Sequence, residues 1–349
     1  MIRVRAARLT DLDDLIHLGK LAGPGFTSMN VKPEQLEARL GKAVKSFQGP
    51  SEISPDKAYV LFLEDMTKGQ IIGMSAVKAQ IGIKDPFFNF RILKLGQKSS
   101  VTDRRYDMDV LMVVNEHAGA SEVGSLFVRE DRRGGGTGRL ISQARYMLIA
   151  TDQARFAGMV ISELRGVVDD TGYSPFWSAI GQKFFQMDFD EADKISARKD
   201  TQFIADLMPK YPIYAALLPE ETQAVIGKAH PKGKGALRFL EQEGFAYHNL
   251  IDIFDGGPSM QVQKKNIRTV RESYVVMTMA GDTSTDQAQD ALVSNEKISE
   301  FCCVWQKIVV LNDQVAILSE EGLQALGVET GDMVRIWRQP QGKKADHKR

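Results

Sequence analysis

Short apolar runs bounded by polar turns open the chain. Ile2 to Ala6 reads as a strand, and Ala58-Tyr-Val-Leu-Phe-Leu63 and Gln70-Ile-Ile-Gly-Met-Ser-Ala-Val77 read as two more, joined by a turn from Asp65 to Gly69. Asp107 to Asn115 has the same texture and is expected to pair with Glu122 to Val128. Elsewhere the period changes to that of a helix. Leu12, Leu15, Ile16 and Leu18 follow Thr10-Asp-Leu-Asp13, a capping box with Asp in place of Glu. A second helical stripe, Leu140, Ile141, Ala144, Met147 and Leu148, starts after Gly138, and Gly158-Met-Val-Ile-Ser-Glu163 returns to a buried strand. The predicted order is strand, helix, strands, glycine loop, helix, strand, an α+β chain with a mixed central sheet.

Two later segments share a plan. Ser174-Pro-Phe-Trp-Ser-Ala-Ile-Gly-Gln-Lys-Phe-Phe185 and Ala236-Leu-Arg-Phe-Leu-Glu-Gln-Glu-Gly-Phe-Ala-Tyr247 each read as a short helix ended by a glycine, Gly181 or Gly244, and then an aromatic that opens a strand. They fit a degenerate second half-repeat after Asp190, and equally a common unit used twice. From Gln261 the texture is β-rich: Ser273-Tyr-Val-Val-Met-Thr-Met279, Lys307-Ile-Val-Val-Leu311 and Val328-Glu-Thr-Gly-Asp-Met-Val-Arg-Ile-Trp337, with a helix near Ser319 to Leu326. The expected division is 1–190, 191–262 and a small, barrel-like C-terminal domain at 263–349.

Bulk composition narrows the function classes. In 349 residues, Lys+Arg and Asp+Glu both number 45, so no basic excess argues for a nucleic-acid partner. The N-terminus lacks a signal-type apolar core and no run of 18 apolar residues occurs, so no membrane partner is expected and the expected setting is cytoplasmic. Cys302 and Cys303 are the only cysteines; their adjacency offers neither a disulfide nor metal-ligand spacing. The 342–349 tail reads as a frayed terminus.

Candidate chemistry centres on Glu122-Val-Gly-Ser-Leu-Phe-Val-Arg-Glu-Asp-Arg-Arg-Gly-Gly-Gly-Thr-Gly138, an apolar strand running into a loop with glycines at 134, 135, 136 and 138. Amides at the helix start that follows suit a phosphate, and the glycines allow close approach and positive φ. The Lys-Ser/Thr of a P-loop is absent after Gly138, and Gly134-x-Gly136-x-x-Arg139 lacks the third glycine of a dinucleotide fold. Arg133-Gly-Gly-Gly136-Thr-Gly138 resembles instead the Arg/Gln-x-x-Gly-x-Gly pattern of GNAT-type acyl-coenzyme A transferases. That resemblance implies that Arg133, Gly134, Gly136 and Gly138 hold the pyrophosphate of coenzyme A. It also implies that the preceding strand, with Val128, meets the pantetheine arm.

Longer segments narrow the resemblance. Lys84-Asp-Pro-Phe-Phe-Asn-Phe-Arg91, Asn115-Glu-His-Ala-Gly-Ala-Ser-Glu122, Leu164-Arg-Gly-Val-Val-Asp-Asp-Thr-Gly-Tyr-Ser-Pro-Phe-Trp177, Leu207-Met-Pro-Lys-Tyr-Pro-Ile-Tyr214 and Asn249-Leu-Ile-Asp-Ile-Phe-Asp-Gly-Gly-Pro258 resemble the arginine N-succinyltransferase family, of the alpha or beta type. The family implies succinyl-coenzyme A as co-substrate, L-arginine (or ornithine) as acceptor, and a homo- or hetero-oligomeric assembly. It further implies that Leu126 contacts succinyl-coenzyme A and that His230, in Ala224-Val-Ile-Gly-Lys-Ala-His-Pro231, acts as proton donor. Read from the residues alone, His230 is as well a helix-terminal histidine before Pro231.

The reaction needs a base for the attacking amine, a donor for the oxyanion and an acid for the thiolate. His117, in a loop before the coenzyme strand, competes with His230, the simpler reading being a histidine bonded to backbone. Glu163 and Glu122 could each act as base, or be surface or ion-paired carboxylates. Arg91, Arg165, Asp85, Asp169 and Asp255 are unranked candidates for the amino acid; Arg165 with Asp169 and Tyr173 could simply order a turn. Cys302-Cys303 reads as core, so direct attack is expected over an acyl-enzyme. The alternatives are a non-catalytic partner subunit and an acyl transferase using another donor or amine.

Overall fold

The computed structural model describes residues 1–23, 29, 31–189, 191–192 and 202–338. The strands are β1 Ile2–Ala6, β2 Ala58–Asp65, β3 Gln70–Lys78, β4 Asn89–Lys98, β5 Arg105–Val114, β6 Ser121–Val128 and β7 Met159–Glu163. After them come β8 Ile213–Tyr214, β9 Ala246–Asp252, β10 Pro258–Gln263, β11 Tyr274–Ala280, β12 Gln289–Asn295, β13 Cys302–Leu311, β14 Val315–Leu318 and β15 Met333–Arg338. They hydrogen-bond in the order β12-β15-β11-β14-β13-β1-β2-β3-β6-β7-β10-β9-β4-β5-β8.

Helices α1 (Leu12–Ala22) and α2 (Pro33–Gln48) cover one face of the central strands and α3 (Thr137–Thr151) the other. β2 shows why its sequence is a continuous apolar run. Tyr59, Leu61 and Leu63 pack with α3, whereas Val60 and Phe62 pack with α1 and α2, so both faces are buried. Each such side chain contributes about 1.5–3 kcal/mol on leaving water.

At the C-terminal end β12 also pairs with β13, which closes β11 to β15 into a five-stranded barrel around Val276, Val293, Val304, Ile308, Leu326 and Ile336. β13 joins the barrel to the central sheet by pairing with β1, with Val4 opposite Cys303. Ser319 caps the helix Glu320–Leu326, with its Oγ accepting from Gly322 N, and Gly327 ends it at φ 64°.

Several expectations change. β5 pairs with β4 and β8, not with β6, which lies between β3 and β7. β4 went unpredicted; it forms a long hairpin with β5 held by cross-strand pairs such as Lys94–Asp109. Gly181 ends no strand-bound helix but begins a second short one, Gly181–Phe185, and the position demands glycine for packing, since a Cβ there would lie 2.1 Å from the Trp177 ring. The two glycine endings therefore do not share a plan. The N-terminal cap is Arg8, two residues before Thr10: Asp11 accepts from Arg8 N at 2.7 Å and is held by Arg5 at 2.8 Å through both oxygens. The 342–349 tail lies outside the described residues. Among those residues no helix is long and apolar enough to cross a membrane.

Candidate active site

Gly134, Gly135 and Gly136 take φ values of 102°, 55° and 85°, three consecutive residues in the left-handed region. A side chain would be strained at each, and a Cβ there would meet nothing within 4 Å, so the main chain itself faces open space. Thr137 Oγ1 donates to the carbonyls of Arg132 and Gly134 at 2.9 Å, which folds the loop back on itself. The α3 ladder begins with Leu140 N–H to Gly136 O, leaving the amides of the preceding turn ahead of it at the positive end of the helix. Above this loop lies a cavity of about 400 Å³ lined by Arg133, Gly134, Gly136, Gly138, Arg139, Arg238, Phe239 and Gln242.

Three arginines and a helix start make that cavity electropositive. Arg133 is anchored by Nε to Val128 O at 3.2 Å. The Arg139 guanidinium lies 5.2 Å from the Trp305 ring centre and 5.6 Å from that of Trp337, both on the barrel. Burial and the neighbouring Arg268 lower its pKa from the ordinary value, so an anion would relieve an existing repulsion.

β6 leads from the middle of the sheet to this loop. Against β3 its register runs from Ala76–Gly124 to Met74–Phe127, so Ser125 and Leu126 bulge opposite the single residue Ser75. Ser125 sits at φ 51°, and its Oγ accepts from Arg39 Nη2 of α2 at 2.9 Å. On its other edge β6 pairs with β7, in parallel, only at Ser121–Val160 and Glu122–Ile161. Beyond those pairs no ladder joins the two strands, and Leu126 has no paired residue in either register, so the pairing has a gap between the bulge and the end of β7.

Glu163 is the last residue of β7. Val160 and Leu164 pack toward α3 while Ile161 packs with Ile81 and Ala120 on the opposite face, so alternation puts Glu163 on the face away from α3. Its Oε1 accepts from Asn89 Nδ2 at 2.7 Å. Asn89, fully buried, also meets Ile251 O at 3.3 Å and His117 Nδ1 at 3.0 Å. His117 Nε2 meets the Gln261 side-chain amide at 3.2 Å. Burial holds the Glu163 carboxyl well above the usual range, reinforced by Asp252 and Glu122. Asp252 is raised by burial, and Asp255 well above its usual range by burial and then by Asp252.

The chain leaves β7 pressed against the turn after β9. A Cβ on Gly166 would lie 2.2 Å from Asp255 O and one on Gly257 2.1 Å from Leu164 O, so both positions demand glycine. His230 fastens this same loop: its N–H donates to Arg165 O at 2.8 Å. Lys232 N–H donates to its Nδ1 at 3.1 Å, so Nε2 carries the proton and donates to Val168 O at 3.0 Å.

Of the residues singled out from sequence, Arg133, Gly134, Gly136 and Gly138 meet around the cavity, while Leu126 and Val128 lie on the strand leading into it. His230 stands apart, on the turn before the helix Lys234–Gln242 that supplies Arg238, Phe239 and Gln242. His117 is bonded to side chains rather than to backbone, and burial lowers its pKa. Arg91 pairs with Glu116. Asp169 orders its turn by accepting from Thr171 and Tyr173 without Arg165. Glu122 is paired with Lys78 at 2.6 Å. Cys302 and Cys303 are buried free thiols, raised by burial. Sequence reasoning missed Arg39, Asn89, Arg139 and Arg238; only Arg139, directly after the last loop glycine, carried a local signal.

Comparison with known proteins agrees with this geometry. The family described as arginine N-succinyltransferase beta subunit matches residues 2–269, and its C-terminal domain matches 275–338. Arginine N-succinyltransferases of Escherichia coli strain 55989 and Shigella dysenteriae serotype 1 are each 37% identical over 338 residues, 97% of this chain and 98% of theirs. The solved structure of arginine/ornithine succinyltransferase subunit AI from Pseudomonas aeruginosa superposes with a TM-score of 0.87 at 31% identity, covering 97% of this chain and 98% of that one. The glycine loop, the bulged strand and the end of the β6–β7 pairing are thus set in the mixed α+β fold shared with that succinyltransferase subunit. This chain belongs to the arginine N-succinyltransferase family.

Proposed function

We propose that the chain transfers the succinyl group of succinyl-coenzyme A to the α-amine of L-arginine by direct attack. The observation that carries this reading is the run of three left-handed glycines at the start of α3, beneath a cavity with Arg133, Arg139 and Arg238. It is suited to the pyrophosphate and ribose phosphate of coenzyme A, and family membership supplies the acyl group and the amine. From that anchor the pantetheine arm would follow β6 past Val128 into the gap between β6 and β7. There the Leu126 amide, in the bulge, would donate to the oxyanion that forms on the thioester carbonyl.

His230 is the proton donor in this reading. Histidine suits this role because its imidazolium, which returns to neutral imidazole on giving up a proton, is accessible near neutral pH; in the free chain the Nε2–H donates to Val168 O. No thiol competes as nucleophile, because Cys302 and Cys303 are buried in β13, in the barrel.

The test is thiol release measured across succinyl- and acetyl-coenzyme A with arginine, ornithine and other amines. Rapid release only with succinyl-coenzyme A and arginine or ornithine, with an N-succinyl product by mass, is expected. Release with acetyl-coenzyme A alone, or with no donor, overturns the reading. His230→Gln is expected to lower kcat by about 100-fold at saturating substrates, and an unchanged kcat removes His230 as donor.

A further inference from the structure

Transfer leaves one proton unassigned. The amino acid arrives as an α-ammonium, and it must lose a proton before its nitrogen can attack. We propose that Glu163 is the base that takes this proton, and that the α-ammonium docks as the cation its pocket lacks. This rests on the transfer reading above.

Position comes first. Glu163 ends β7 just beyond the last pair with β6, and it lies on the face of the sheet away from α3. A coenzyme anchored at the start of α3 and threaded between the two strands would present its thioester on that far face. Glu163 and the bulged Leu126 flank the gap from its two sides, β7 and β6.

The second observation is how the carboxylate is held. Oε1 is fixed by Asn89, which is fixed in turn by Ile251 O and by His117, itself tied to Gln261. Among the described residues no other hydrogen-bond donor reaches the carboxylate, and no Lys, Arg or His lies within ion-pair distance of it. Other part-buried acids of the sheet differ. Glu122 has Lys78, and Glu64 has Arg3 and Arg5. Glu163 is therefore aimed by a neutral tether but not neutralised, and it is half-buried, so its remaining edge stays reachable.

The charged surroundings all point the same way. Asp252 and Asp255 neighbour Glu163 from the end of β9 and the turn behind it and Glu122 from β6, while His117, whose pKa burial lowers, reaches it only through Asn89. Burial first, and then the carboxylates of Asp252 and Glu122, hold the Glu163 carboxyl well above its ordinary value, and the same carboxylates favour a docked cation. The proton balance then closes. The ammonium gives one proton to the Glu163 carboxylate, the free amine forms the C–N bond, and collapse breaks the C–S bond. The second proton on that nitrogen equals the one the thiolate takes through the donor, and Glu163 returns its own to solvent.

The experiment is kcat and the pH profile of Glu163→Gln, in the full chain, with succinyl-coenzyme A and arginine saturating. Gln keeps the acceptor for Asn89 and the shape. Expected is a fall of about 100-fold or more near neutral pH, with the residual rate climbing about tenfold per pH unit as free amine appears, while the wild type levels off. The dissociation constant of coenzyme A should stay within about twofold, since the cavity is untouched. Glu163→Asp, which keeps the charge, should retain more activity than Gln and keep the acid limb, and it stands in as the test if Gln does not fold. A Gln variant within about threefold of wild type, or one with the wild-type pH profile, overturns the assignment. A wild-type chain that releases no thiol with any donor removes the transfer reading instead. Turnover by the wild type beside an unchanged variant removes Glu163 alone.

Discussion

Two glutamates with acid neighbourhoods of opposite character lie within the same sheet-and-helix body. Glu243, at the end of the helix Lys234–Gln242, is almost fully buried and saturated: it accepts from Thr269 N at 2.8 Å, Thr269 Oγ1 at 2.9 Å and Gln143 Nε2 at 3.0 Å, with Arg268 at 3.5 Å. Glu163 has one neutral donor, no cation, and carboxylates for neighbours. Burying an ion is tolerable when every lone pair is met, and the first site does that by stitching α3 to the helix Arg268–Glu272. The second leaves its charge unmet, which lowers stability at neutral pH and keeps a carboxylate available for chemistry. The same residue type thus serves opposite ends.

The comparison can be broken by exchanging the two phenotypes. Glu243→Ala should cost about 3 kcal/mol of unfolding free energy, because it orphans the Thr269 amide and leaves Arg268 uncompensated, while kcat per folded molecule stays near wild type. Denaturant melts beside active-site-normalised rates check this; a stable variant with a lost rate would mean that Glu243, too, serves the reaction.

A smaller effect sharpens the role of the tether. Asn89→Ala should lower kcat by about tenfold, since the carboxylate loses its aim, and leave the donor KM unchanged. The Asn89 hydrogen bond lowers the Glu163 pKa, so its removal should move the acid limb of the pH profile to higher pH. A limb moving to lower pH would contradict the assignment of that limb to Glu163.

The smallest effect lies in stability against pH. A carboxyl raised in the folded state contributes stability below its unfolded pKa, and that contribution is lost as pH rises through the raised value. Glu163→Gln cannot ionise, so its Tm should equal that of wild type near pH 4 and exceed it by about 2 °C near pH 8. Thermal scans across that range decide the sign.

Much of this molecule was legible as text. β1, β2, β3 and β7 and the helices α1 and α3 follow from hydrophobic period, and the glycine run marks its own loop because only glycine sits comfortably at three successive positive φ angles. The hairpin β4–β5 was half hidden, since β4 is stabilised by cross-strand partners and its own alternation is weak. Arg139 and Arg238 reached the cavity from α3 and the helix Lys234–Gln242, a juxtaposition no local pattern encodes. Glu163 was visible as the end of a strand, but its setting depends on Asn89, 74 residues earlier, and on Asp252, at the end of β9.

By itself, then, the sequence determined the order of elements, the phosphate-suited loop and the family segments. These depend on local backbone preference and periodic burial, which a few neighbouring residues specify. Tertiary structure decided which carboxylate is satisfied and which is not. Hydrogen-bond completeness and desolvation are properties of an environment assembled from β4, β6, β7 and β9, and they exist only once those strands lie together.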